Sequence, residues 1–227
     1  MKNVTFLKLS ALSIALCAGL AGAQETQTST ATVTIQNAFD LAEDAALNFG
    51  TVRATQTVVD AVDNDASGGV LTPSQTSGAG IRIKADGTAA EQVAQVGVSQ
   101  GAGVNAGDTD GSISSVVSII VAGAPGEYSI TNAAAFTNLR ILDPEDTTEL
   151  TSPSVPADSK FDLDIDYADM IIVGGGNDGD VVNGTNLLTD GAGAVGFRVG
   201  GELTIDAAAT TVRDGAYTGT YTITVSY

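Results

Sequence analysis

Short runs of oxygen-bearing side chains are the residues best placed to do chemistry in this chain. Asp63-Asn-Asp65-Ala-Ser67-Gly68 sets oxygens at alternate positions ahead of a turn-forming glycine. That is the spacing of the first half of an EF-hand calcium loop. The twelfth position is Ser74, where such a loop carries a bidentate glutamate. Gly175-Gly-Asn-Asp-Gly-Asp180-Val-Val182 matches one nonapeptide calcium repeat, with Asp178 in place of a glycine. Such repeats complete each site with stacked neighbours, and one copy is visible. Asp108-Thr-Asp110-Gly111 is shorter still. The expected cofactor is therefore none. Calcium at Asp63, Asp65 and Ser67, or at Asp178 and Asp180, is the alternative to polar, turn-forming loops.

Other chemistries lack their residues. The chain has no histidine and one cysteine, Cys17. Ser-His-Asp and Cys-His nucleophiles and ordinary zinc sites are excluded. A pair of carboxylates can do acid–base work, but nothing singles out one pair among 27 acidic residues. Gly174-Gly-Gly176 follows the apolar run Met170-Ile-Ile-Val173, yet Asn177-Asp-Gly-Asp180 comes next, and carboxylates repel phosphate. The reading is of a protein that is not an enzyme. A formal charge of −18 disfavours nucleic acid and anionic lipid as partners.

The first residues have the three parts of an export signal. Lys2 and Lys8 are basic, Leu9 to Leu20 is apolar, and Ala21-Gly22-Ala23 is a small-x-small cleavage site. Residues 1–23 are expected to be a signal peptide and 24–227 a single β-sandwich domain. The expected location is the periplasm, cell surface or exterior, reached through the export machinery. Leu16 stands where a lipoprotein signal wants a small residue before the cysteine. Cleavage after Ala23 removes Cys17, so the mature domain is expected to fold without disulfides.

The rest of the chain reads as short alternating runs divided by Gly, Asn, Asp and Pro. Expected strands are Thr30–Gln36, Ala46–Val52 with Leu47 and Phe49 inward, and Ile81–Lys84. Ile113–Val121 and Tyr128–Thr131 are expected to form a hairpin about Ala124-Pro-Gly-Glu127. Phe161–Tyr167 alternates, with Asp162, Asp164 and Asp166 on a wet face. Gly196–Val199 and Glu202–Ile205 read as a second hairpin about Gly200-Gly201. Tyr217–Tyr227 closes the chain with Tyr221, Ile223, Val225 and Tyr227 on one face. Residues 60–80, 143–160 and 174–193 read as long connections. The expected fold is an all-β, immunoglobulin-like or pilin-like antiparallel sandwich with long acidic loops.

Several of these runs resemble landmarks of the domain-of-unknown-function 4402 family of exported bacterial proteins. Leu47-Asn-Phe-Gly-Thr-Val52 resembles its early L-x-F-G strand. Val121-Ala-Gly-Ala-Pro-Gly-Glu-Tyr-Ser-Ile130 is similar to its central segment. Phe197 to Ile205, followed by Gly215 to Tyr227, resembles its closing block. The resemblance spans about residues 31–227 in the family's order, with departures over 55–110 and 143–190. It implies no established activity. It extends distantly to spore-coat-U and chaperone–usher pilin-like sandwiches, in which one subunit accepts a strand from another.

The functional expectation is a structural or adhesive surface subunit assembled by β-strand addition, with other copies of itself or a periplasmic chaperone as partners. Ala31, Val33 and Ile35 are the candidate donor residues. Tyr221, Ile223, Val225 and Tyr227 are the candidates in the closing strand. The competing reading of Thr30–Gln36 is the domain's own first strand. Two other functions stay open: a self-contained binding module for cations or glycans, and an outer-membrane β-barrel. The closing strand suits a barrel, and the shortness of the others argues against it.

Overall fold

The computed structural model describes residues 38–59, 74–97, 111–142, 144, 148–157, 159–209 and 211–227. Among these the ordered elements are strands and a single 3-10 turn. In chain order the strands are β1 (Asp40–Ala45), β2 (Thr51–Val59), β3 (Gly80–Ile83), β4 (Glu91–Val93), β5 (Ser112–Val121), β6 (Gly126–Thr131) and β7 (Asn138–Leu142). Then come β8 (Thr148–Leu150), β9 (Phe161–Asp164), β10 (Met170–Val173), β11 (Leu187–Leu188), β12 (Val195–Val199), β13 (Gly201–Ile205) and β14 (Thr224–Ser226).

All pairings between these strands are antiparallel. One sheet runs β1-β6-β12-β10, a second β4-β3-β13-β9-β8, a third β11-β7-β14, and β2 pairs with β5 as a ribbon. None of the four closes into a barrel. Alternation explains the layering. In β12, Val195, Phe197 and Val199 point inward while Gly196 and Arg198 are more exposed. The inward residues of the four-stranded sheet join those of the five-stranded sheet, such as Ile81, Leu203 and Phe161, in one core with Leu139 and Ile141 of β7. This is an antiparallel β-sandwich.

Two connections carry the chain between sheets. β9 ends at Asp164, short of the expected Tyr167, because the Asp166 carboxylate accepts the N–H groups of Ala168 and Asp169 and caps the turn Tyr167–Asp169. β10 then begins in the four-stranded sheet. The return is abrupt: β12 lies in the four-stranded sheet, β13 in the five-stranded one, and Gly200 alone separates them. The Gly200 N–H donates to the Asp169 carbonyl at 2.6 Å, so the two crossings brace each other.

Both expected hairpins are thereby corrected. β12 and β13 do not pair, and β5 pairs with β2 while β6 pairs with β1 and β12. The expected strand over 46–52 is corrected too. Residues 46–50 make one bridge, Asn48 to Ala124, between β1 and β2. Leu47 and Phe49 still pack on the core. The long connections contain structure of their own, including β8 and β11. The ribbon is fastened by Gln95, whose amide accepts from Ser115 N–H and donates to the Ile113 carbonyl. A side chain there replaces a strand at the edge of β5.

Candidate functional site

β8, β9 and β13 carry different chemistry on their two faces. Leu150 lies opposite Phe161 and Glu149 opposite Asp162. With a period of two, the apolar pair and the acidic pair fall on opposite faces. The apolar face borders a groove of about 880 Å³. Leu150, Phe161, Leu163 and Leu203 line it from the five-stranded sheet, and Phe49, Val52 and Ala54 from the β2 side.

The remaining wall is the segment from Val212 to Gly219. Thr151 and Thr218 exchange backbone hydrogen bonds at 3.0 and 2.9 Å, extending the edge beyond β8. The Tyr217 hydroxyl donates to the Arg213 carbonyl at 2.7 Å and lies 2.6 Å from Ser159 Oγ. The Tyr217 ring stands edge-on to Phe161 at 4.9 Å. Among the described residues β8 ends its sheet and β2 has β5 as its sole strand partner. The groove is therefore bordered, among the described residues, by one strand edge with no second strand partner, that of β2, because the segment ending at Gly219 runs along β8.

The acidic face gathers four charges. One oxygen each of Glu149, Asp162 and Asp206 lies within 4.8 Å of the others. Lys160 Nζ sits among them, 2.5 Å from Glu149 Oε1 and 3.3 Å from Asp206 Oδ2. A wet face was expected at Asp162, and Asp164 and Asp166 are indeed exposed. Asp162 is half-buried instead. Burial first, then the charge of Asp206, pushes its carboxyl up to about 6 from 3.8.

A raised folded value means that the folded state holds the proton more tightly than the unfolded chain. Stability from this group is full below pH 3.8 and is lost as pH rises toward about 6. Asp162→Asn should therefore raise stability at pH 7 by about 1 kcal/mol after solvent screening, with little gain at pH 4. Urea denaturation at the two pH values checks this. An equal effect at both rejects the assignment.

The other expected site residues have structural placements. Asp178 Oδ1 accepts the Gly174 N–H at 2.8 Å, and the Asp180 carbonyl accepts the Ile172 N–H at 2.8 Å. These bonds shape the turn that flanks β10. Asp178 and Asp180 are not members of the carboxylate group around Lys160. Asp63, Asp65 and Ser67, like Ala31, Val33 and Ile35, lie outside the described residues.

In the closing segment Tyr221 shares a 2.7 Å hydroxyl contact with Tyr128, and burial raises both phenols, while the contact itself raises Tyr128 and lowers Tyr221. Ile223 and Val225 pack on the core, and β14 pairs with β7. The Tyr227 ring meets Phe39 at 5.4 Å. Sequence reasoning missed Glu149, Lys160 and Asp206 because pairing brings them together from three separate segments.

No family model, curated protein or solved structure matches this chain. Among the described residues no helix is long and apolar enough to cross a membrane.

Proposed function

We propose that this chain is an exported, non-enzymatic structural or adhesive cell-surface subunit that assembles by β-strand addition. The observation that carries the reading is the apolar groove between β2 and β8. An added strand gains backbone hydrogen bonds from an open edge and pockets for alternate side chains. Leu150, Phe161 and Val52 supply apolar surface for those side chains. The Gln24–Gln36 segment, with Ala31, Val33 and Ile35 at alternate positions, has the matching pattern. The export signal and the resemblance to the domain-of-unknown-function 4402 family support the location and class.

The test compares protein starting at Gln24 with protein starting at Asn37, the first residue of a compact unit ending at Tyr227. A synthetic Gln24–Gln36 peptide at 100 times its Kd should stabilise the shorter protein by about 2.7 kcal/mol. Aspartate at positions 31, 33 and 35 of the peptide should abolish this. Chains starting at Gln24 should form higher assemblies, read by light scattering. A longer protein that stays monomeric, with a shorter one indifferent to peptide, rejects strand addition. That outcome favours the self-contained binding module.

A further inference from the structure

Strand pairing alone brings Lys160 beside Asp206. Phe161 lies opposite Ile205 in the β9–β13 pair. One residue further out, the Asp206 N–H donates to the Lys160 carbonyl at 3.2 Å. The side chains follow the backbone, and Lys160 Nζ stands 3.3 Å from Asp206 Oδ2. Neither is a freely waving surface group, since the side chains are 21% and 11% exposed. Glu149 takes a hydrogen bond from the same ammonium, and Asp162 completes the cluster. An amine, a carboxyl carbon and two further carboxyl groups thus meet at one place.

We propose that Lys160 and Asp206 become joined by an intramolecular isopeptide bond, with Glu149 and Asp162 moving the protons. Glu149 takes a proton from the Lys160 ammonium and frees the nitrogen lone pair. Asp162 passes its proton to the Asp206 carboxylate, the nitrogen attacks Cγ, and the C–N bond forms. Asp162 takes the second proton from the nitrogen, Glu149 gives its proton to the departing oxygen, the C–O bond breaks, and water leaves, with Glu149 and Asp162 restored. The net change is ammonium plus carboxylate giving amide plus water, so no oxidant, activator or other reactant is needed.

The electrostatics set the pace. The hydrogen bond to Glu149 holds the Lys160 ammonium above its ordinary value. The attacking amine is therefore a minor form and the reaction slow. Burial and the nearby Asp206 raise Asp162 to about 6, so near neutral pH a minor but usable fraction of the molecules holds the proton the Asp206 oxygen needs. Fixing both reactants on adjacent strands supplies the effective concentration that two free groups lack.

A link between these positions ties the ends of β9 and β13 and persists in the unfolded chain, as a disulfide would. The sole cysteine in the sequence is Cys17. The proposal stands independently of strand addition. Asp162→Asn keeps the sign of its pH effect in linked protein, because burial, the largest cause, is unchanged.

Intact mass measured under denaturing conditions provides the test. Folded protein held near neutral pH should become lighter by one water, and digestion should yield a branched peptide joining Lys160 to Asp206. Lys160→Arg should keep the full mass while remaining folded. Asp162→Asn should slow the mass loss by about 100-fold, the lower end of a general acid's contribution. Protein that retains its full sequence mass, with no branched peptide, overturns the proposal. So does a water loss that persists in Lys160→Arg, which places the dehydration elsewhere.

Discussion

Phe197→Ala is expected to lower the free energy of unfolding by about 3–5 kcal/mol. Phe197 is 1% exposed and sits at the middle of β12, an inner strand of the four-stranded sheet. Its ring stacks on Tyr128 at 5.1 Å with the planes 7° apart. The two residues are direct cross-strand partners between β12 and β6. Truncation removes the buried ring, leaves a cavity and loses the aromatic pair, which alone is worth about 0.5–1.5 kcal/mol. It also unseats Tyr128, whose hydroxyl meets Tyr221 of the closing segment.

A domain of ordinary stability holds only about 5–15 kcal/mol in reserve. The midpoint of thermal unfolding should therefore fall by roughly 6–20 °C. Phe197→Leu keeps an apolar group in the space and should cost less than half as much. Equal losses from Ala and Leu would mean that the ring's shape, rather than its burial, decides the effect.

Strand content was legible in the sequence because a half-buried strand announces itself by alternation. Phe161, Leu163 and Ile165 point inward as their spacing predicts. So do Val199 and Ile205 on either side of Gly200-Gly201. Pairing was not legible. Glycine-rich junctions at 123–126 and 200–201 look like hairpin turns, but the chain uses them to pass between sheets. Local sequence cannot distinguish these cases, because a strand's partner is chosen by packing far along the chain.

The same reasoning explains the site. Asp162 reads locally as the wet face of a strand. It is half-buried because β8 brings Glu149 and the residue after β13 is Asp206. The groove draws on residues from Leu47 to Tyr221, so no short window of sequence contains it. Its apolar lining was partly foreseen at Leu47, Phe49, Phe161 and Leu163, which were expected to face inward. What the sequence could not show is that these faces leave a space between them.

Gly200→Ala should be severely damaging, costing about 4 kcal/mol or more. A β-carbon there would stand 2.2 Å from the Ile83 carbonyl oxygen and 2.9 Å from the Ala85 nitrogen. Both neighbours are backbone, so no rotamer relieves the contact. Ile83 ends β3, which pairs with β13, while Gly200 is also bound to Asp169 at the other crossing. Moving any of these segments shifts the two sheets relative to each other and opens the shared core. Gly87→Ala is the appropriate control. Gly87 has a φ of 75° and no atom within 4 Å of its imagined β-carbon. That substitution should cost only the left-handed backbone penalty, about 1–2 kcal/mol. Thermal unfolding and soluble yield of the two variants separate steric collision from backbone strain. If Gly200→Ala unfolds no earlier than Gly87→Ala, close approach at the crossing is not what holds the sheets in register. Loss of the folded state at Gly200 alone would make that one-residue junction the point where the chain commits to two sheets instead of a hairpin.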